Sequence, residues 1–200
     1  MRSASKSGEL QRAAALFCAP KSLPRLWFFT DPARTPEPWR TAAQLPIGAA
    51  VVYRHFGARD RFAVARRLQR LCARNGLVLL IGADDGLASA VNAAGVHLPE
   101  RMVSDAAAMK RRRPDWIVSA AAHSAEAARR GCAADAIVLS AIYPSRSPSA
   151  GKPLGLHEGG RVARGAPGRV IALGGVEARN AAMLARAGFA GVAGVDLFLG

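Results

Sequence analysis

The stretch "RVIALGGVEARN", residues 169 to 180, sets two adjacent glycines, Gly174 and Gly175, where an apolar run gives way to polar, helix-forming residues. Such a pair makes either a plain tight turn or an anion seat. In the second case backbone N–H groups close on a phosphate without a Cβ in the way, and the next helix N-terminus favours negative charge. Gly191 and Gly194, in "GVAGV", would supply the facing half of that cup. The loop "IYPSRSPSAGKPLG" (142–155) offers the hydroxyls of Ser145, Ser147 and Ser149 and the charges of Arg146 and Lys152. Its length reads as a binding loop or as a simple connection. His123, in "AAAHSAEAARRG", follows another apolar run and either shuttles protons near neutral pH or only ties a loop. His97, in "GVHL", fits a buried structural role; His55 follows Arg54, and His157 falls in a loop with no role assigned.

Groups this scattered need a scaffold that gathers them. Eight short apolar runs recur, at 25–30, 48–54, 76–82, 95–98, 115–121, 135–142, 168–173 and 191–198. Between them lie segments whose apolar positions return every three or four residues, such as "RDRFAVARRLQRLCARN" and "EARNAAMLARAG". Asp60 and Ser124 precede helical runs as caps; Gly76, Gly131 and Gly188 follow them as stops. Alternation of this kind builds a parallel sheet wrapped by helices, and eight strands favour a compact (β/α)8 TIM barrel over a doubly wound sheet. In such a barrel the chemistry sits at the C-terminal strand ends, with phosphate at strands seven and eight. The run after strand eight leaves no room for an eighth outer helix. Residues 1–24 read as an extension whose "GELQRAAALF" has helical period and would cover the gap, unless a second copy in a homo-oligomer does; residues 25–200 form the barrel.

Composition narrows the class. The 200 residues are half hydrophobic, enough for one domain with its own core, and the three cysteines, Cys18, Cys72 and Cys132, form neither a disulfide framework nor a zinc pattern. No apolar run approaches the roughly 20 residues that span a bilayer, so a cytoplasmic protein with no membrane partner is expected. The net charge of +14 is mostly arginine spread over helical segments. It predicts solvated helix faces friendly to anions and no specific nucleic-acid partner.

Taken together, "YRHF" (53–56), "LASAVNAAGVHL" (87–98), the run from "AAAHS" to "IYPSRS" (120–147) and "ALGGVEARNAAMLARAGFAGVAGV" (172–195) resemble the thiamine phosphate synthase/TenI family of thiamine biosynthesis. The resemblance implies a TIM barrel that holds a small phosphorylated thiazole on Gly174, Gly175, Gly194, Ser145 and Ser147, with Arg54 as the strand-two arginine. The synthase joins the thiazole to a pyrimidine by expelling pyrophosphate, and the resemblance implies Mg²⁺ for that reaction. Here the chain departs from the family pattern. Val52 and Phe56 replace a glutamine and a lysine, Gly82 and Ala83 replace Asn-Asp, "PERM" (99–102) replaces an acidic run, Ala121 replaces a serine, and Pro148 replaces a lysine. Asp84 and Asp85 are the only near substitutes for the metal-binding aspartate. These losses fall on the pyrophosphate half of the site. They favour a TenI-like thiazole tautomerase with His123 as acid/base and no cofactor, ahead of a diverged synthase or a non-catalytic phosphate binder.

Overall fold

A computed structural model describes residues 6–145, 147, 151–166 and 169–199. Eight parallel strands close into a barrel in chain order: β1 (Leu26–Phe29), β2 (Ala50–Tyr53), β3 (Val78–Gly82), β4 (Gly95–Leu98), β5 (Ile117–Ala122), β6 (Ala136–Leu139), β7 (Val170–Leu173) and β8 (Gly191–Gly194). Each of the eight predicted runs coincides with one of these strands, β5 extending one residue beyond its run to Ala122, and the architecture is the (β/α)8 barrel. Ring closure comes from β8 pairing with β1, with Trp27 opposite Ala193.

Side chains alternate across each strand, so the barrel sorts them into two cores. Trp27, Phe29, Val52, Leu80, Val138 and Ile171 fill the interior. Phe28, Val51, Tyr53, Leu79 and Ile81 point outward, under the helices. The interior accepts an indole because Trp27 stands in register between two alanines, Ala50 on β2 and Ala193 on β8. Its Nε1 donates to Pro24 O at 2.7 Å, so the buried indole N–H has a partner.

The outer layer comprises α1 (Lys6–Ala15), α2 (Pro38–Ala42), α3 (Arg61–Asn75), α4 (Asp85–Ala90), α5 (Ala106–Arg112), α6 (Ala125–Arg130), α7 (Gly155–Gly165) and α8 (Ala181–Arg186). On α3 the buried residues Val64, Ala65, Leu68 and Cys72 form one stripe, and the helix stops at Gly76, whose φ of 63° is left-handed. Each large side chain buried this fully contributes roughly 1.5–3 kcal/mol. α1 packs beside α8 and buries Leu10 and Ala13, with Phe17 just beyond it.

Local details differ from the sequence expectation. Asp60 precedes α3 without a side-chain cap bond, whereas Ser124 Oγ accepts from Ala127 N–H at 3.1 Å and caps α6. His157 lies in α7 rather than in a loop. Four glycines in that helix mask its period, and one of them is needed for packing: a Cβ on Gly159 would stand 2.9 Å from Ile142 Cδ1.

Candidate functional site

The C-terminal strand ends surround a cavity of about 380 Å³ that reaches from His97 at its floor to Phe56, Glu100 and Glu177 at its rim. Its β6–β8 side is built from Gly174, Gly175 and Gly194 together with Ser140, Ser145 and Ser147. Gly174 and Gly175 both have positive φ, at 92° and 61°. A Cβ on Gly174 would lie 2.7 Å from Ala141 Cβ, and one on Gly175 would run into Pro144 O. The glycines therefore let the loop after β6 lie directly on the end of β7. Ile142 N–H donates to Leu173 O at 2.9 Å and Tyr143 N–H to Gly174 O at 3.0 Å, which seals that contact. The consequence for the site is position: the sealed loop holds Ser145 and Ser147 on the cavity wall, with Ser147 N–H donating to Ser145 Oγ at 3.2 Å. The result is a small polar pocket of hydroxyls and glycine backbone, suited to a phosphate.

Other predicted groups are placed elsewhere. Gly191 begins β8, packed against Arg25 O at the far end of the strand, and takes no part in the cup. Lys152 is exposed and does not line the cavity, although its neighbour Gly151 does. Arg146, Pro148 and Ser149 lie outside the described residues.

The opposite wall carries the cations. Arg54 Nε donates to Thr30 O at 3.1 Å, its guanidinium lies 5.0 Å from the Phe29 ring centroid, and its N–H donates to Thr30 Oγ1 at 2.9 Å. Burial pushes the Arg54 pKa down, with Asp31 opposing, yet a guanidinium starts high enough to stay charged at neutral pH. Arg34 pairs with Asp31 at 3.0 Å and Asp196 at 3.3 Å, which latches the loop after β1 to the turn after β8. Beneath them, His97 Nδ1 lies 3.0 Å from Ser119 Oγ, and the ring meets Phe29 edge-on at 4.9 Å. Burial, and then the neighbouring Arg54, push the His97 pKa down to about 3, so it is neutral at the floor. His55 is buried on the outer side against Tyr53, away from the cavity, and burial lowers its pKa as well.

His123 follows β5 directly and lines the rim. Its ring Nδ1 stands 2.7 Å from Glu100 Oε2, and its backbone N–H donates to the same oxygen at 2.6 Å. Glu100, inside the "PERM" departure, is a site residue that composition and motif reading passed over. The signal lay in strand order: β4 pairs with β5 at an offset of 22 residues (Gly95 with Ile117), which puts position 100 opposite 122, beside His123.

Asp84 and Asp85, the substitutes considered for a metal ligand, are not at the mouth. Asp84 Oδ1 accepts from Leu87 N–H at 2.8 Å to cap α4, and its other oxygen pairs with Arg61. Asp85 pairs with Arg112 at 3.4 Å on the outside. Arg61 also donates to Gly82 O at 2.9 Å and lies 5.6 Å from the Phe56 ring centroid. That ring is packed so closely over Gly82 that a Cβ there would lie 3.1 Å from Phe56 Cζ. The acids that do reach the rim are paired: Glu100 with His123, Glu177 with Arg179 at 2.6 Å, Asp196 with Arg34. Among the described residues no three His, Cys, Asp or Glu side chains gather as a metal site.

Comparison with known proteins adds a second line. A family model described as thiamine monophosphate synthase matches residues 30–198. The putative thiamine-phosphate synthase 2 of Aquifex aeolicus is 33% identical over 184 residues, covering 88% of this chain and 98% of its own. The thiamine-phosphate synthase of Chromobacterium violaceum is 36% identical over 155 residues, 74% of this chain and 73% of that protein. The bifunctional protein ThiM/ThiE of Symbiobacterium thermophilum is 37% identical over 139 residues, but the match spans only 29% of its length. For two Geobacillus thiamine-phosphate synthases the share is 62%. Among solved structures, thiamine phosphate pyrophosphorylase from Pyrococcus furiosus superimposes with a TM-score of 0.70 at 24% identity, over 86% of this chain and 85% of that one, a likeness of fold.

Proposed function

The chain belongs to the thiamine monophosphate synthase (TMP-TENI) family, and on that premise we propose that it works in thiamine biosynthesis on a phosphorylated thiazole anchored at the ends of β6, β7 and β8. The observation that carries this reading is the convergence of Gly174, Gly175, Gly194, Ser145 and Ser147 on one wall of a single cavity. Hydroxyls and glycine backbone there would take the phosphate, and the thiazole ring would extend toward Arg54 and His123.

Of the two reactions open to that substrate, coupling to a pyrimidine, the thiamine phosphate synthase reaction, is the one the relatives favour. The Aquifex protein is similar over almost its whole length and carries that name. In this reading Arg54 and Arg34 face the departing pyrophosphate from the β1–β2 side. No step is assigned to a metal, because the rim acids are already paired. The second reading, thiazole tautomerase, rests on a specific observation, the His123–Glu100 pair at the rim. A proton carried between two atoms of one anchored ring needs an acid/base group and no metal.

Purified protein given thiazole phosphate, pyrimidine pyrophosphate and magnesium decides the matter by chromatography of thiamine phosphate. Product at a useful rate supports the synthase. Isomerisation of the carboxythiazole phosphate without coupling, lost in His123→Ala, replaces it with the tautomerase. Tight thiazole phosphate binding with neither reaction reduces the protein to a phosphate-binding barrel.

A further inference from the structure

We infer that Glu100 is the positioning residue of His123: one carboxylate oxygen fixes the imidazole with its proton on Nδ1 and turns Nε2 toward the cavity as the proton-transfer atom. This rests on the tautomerase reading of the site, and it deepens that reading.

The geometry is specific. Oε2 of Glu100 stands 2.6 Å from the His123 backbone nitrogen and 2.7 Å from Nδ1. A carboxylate only accepts hydrogen bonds, so both nitrogens must donate, and the neutral ring is held as one tautomer with its lone pair on Nε2. Because the same oxygen grips the main chain and the ring of one residue, the side chain has little freedom left to rotate. Glu100 is itself placed by two neighbours. It begins the 3₁₀ turn Glu100–Asp105 directly after Pro99, at the end of β4, and its Oε1 lies 3.9 Å from Arg130, which Glu126 also pairs at 2.9 Å. Both Glu100 and His123 line the cavity.

A purely structural role does not account for this pair. The His123 side chain is 55% exposed, and a polar contact in that setting, screened by water, contributes little to stability. Ser124 already caps α6 without Glu100. What the contact does control is which ring nitrogen is protonated and where it points, the base-and-orienter arrangement that general acid/base sites use.

The test compares Glu100→Ala and Glu100→Gln in the full chain. Nitrogen NMR of histidine-labelled protein, with His123 assigned by the loss of its signals in His123→Ala, reads the tautomer. The proposal expects Nδ1–H in the wild type, a mixture in Glu100→Ala, and restoration in Glu100→Gln, whose amide oxygen still accepts. Turnover of the carboxythiazole phosphate should show kcat falling about 10-fold or more in Glu100→Ala, KM within about twofold, and partial rescue by glutamine. An unchanged tautomer in Glu100→Ala overturns the proposal whatever the activity, as does an unchanged kcat in an active enzyme. If the wild type turns nothing over but the tautomer still scrambles in Glu100→Ala, the tautomerase reading fails and the positioning of His123 by Glu100 stands.

Discussion

His97 is kept neutral by its surroundings, and that has a measurable cost in acid. Its folded-state pKa is about 3 and its ordinary value is 6.5. Above pH 6.5 neither folded nor unfolded chain is protonated there, so the group has no effect. Between those two values the unfolded chain binds a proton that the folded chain refuses, and stability falls by about 1.4 kcal/mol per pH unit. His97→Gln keeps a partner for Ser119 and removes the titration. Denaturation at about pH 7 and pH 5 should therefore show the wild type losing about 2 kcal/mol more than the variant; parallel losses would remove His97 as the cause. Gly175 has a different constraint, since alanine there faces both a left-handed φ and Pro144 O. Gly175→Ala should lower stability by about 2 kcal/mol or more and weaken thiazole phosphate binding; a variant that melts and binds like wild type would show that the loop does not depend on this contact. The glycines of the cavity wall were legible in the sequence because glycine at a strand end is conspicuous. Glu100 was not, because its partner is 23 residues away and meets it only through strand pairing. Asp84 was misleading for a related reason: a carboxylate looks the same in sequence whether it caps a helix or holds a metal.

At the level of elements, all eight strands were visible as apolar runs, because a strand buried on both faces carries few polar residues. Helix α7 was invisible because packing overrides propensity there: Gly159 and Gly160 weaken the helix in isolation but let it approach Ile142, Phe189 and Ala187. Short helices lean on their caps, and α6 is six residues long with Ser124 bonded to Ala127 N–H. Ser124→Ala should cost about 1 kcal/mol. Since Ser124 adjoins His123, proton transfer should drop more than thiazole phosphate affinity does, as read by kcat against a binding isotherm. Equal effects on both would mean that the cap steadies the whole rim rather than the histidine.

Across the whole molecule, the barrel draws part of its outer core from before β1. Phe17 is 3% exposed and packs in the same cluster as Leu26, Phe28 and Val192. Phe17→Ala should destabilise the protein by about 3–5 kcal/mol while KM for thiazole phosphate holds, because the residue is remote from the mouth; calorimetry and kinetics on one preparation check both halves, and an unchanged melting temperature would make the segment dispensable. The pairing of β8 with β1 carries a consequence for how the chain acquires its shape. Leu26 meets Val192, 192 − 26 = 166 residues later in the sequence. Contacts of such long range slow folding, since the ends must be brought together before the contact rewards it. Until β8 is available, the edges of β1 and β7 that it pairs with lack that partner, so ring closure is expected to be a late step, and the one that finishes enclosing Trp27. That interval is when it most needs a chaperone, and a shift in indole emission would time its end.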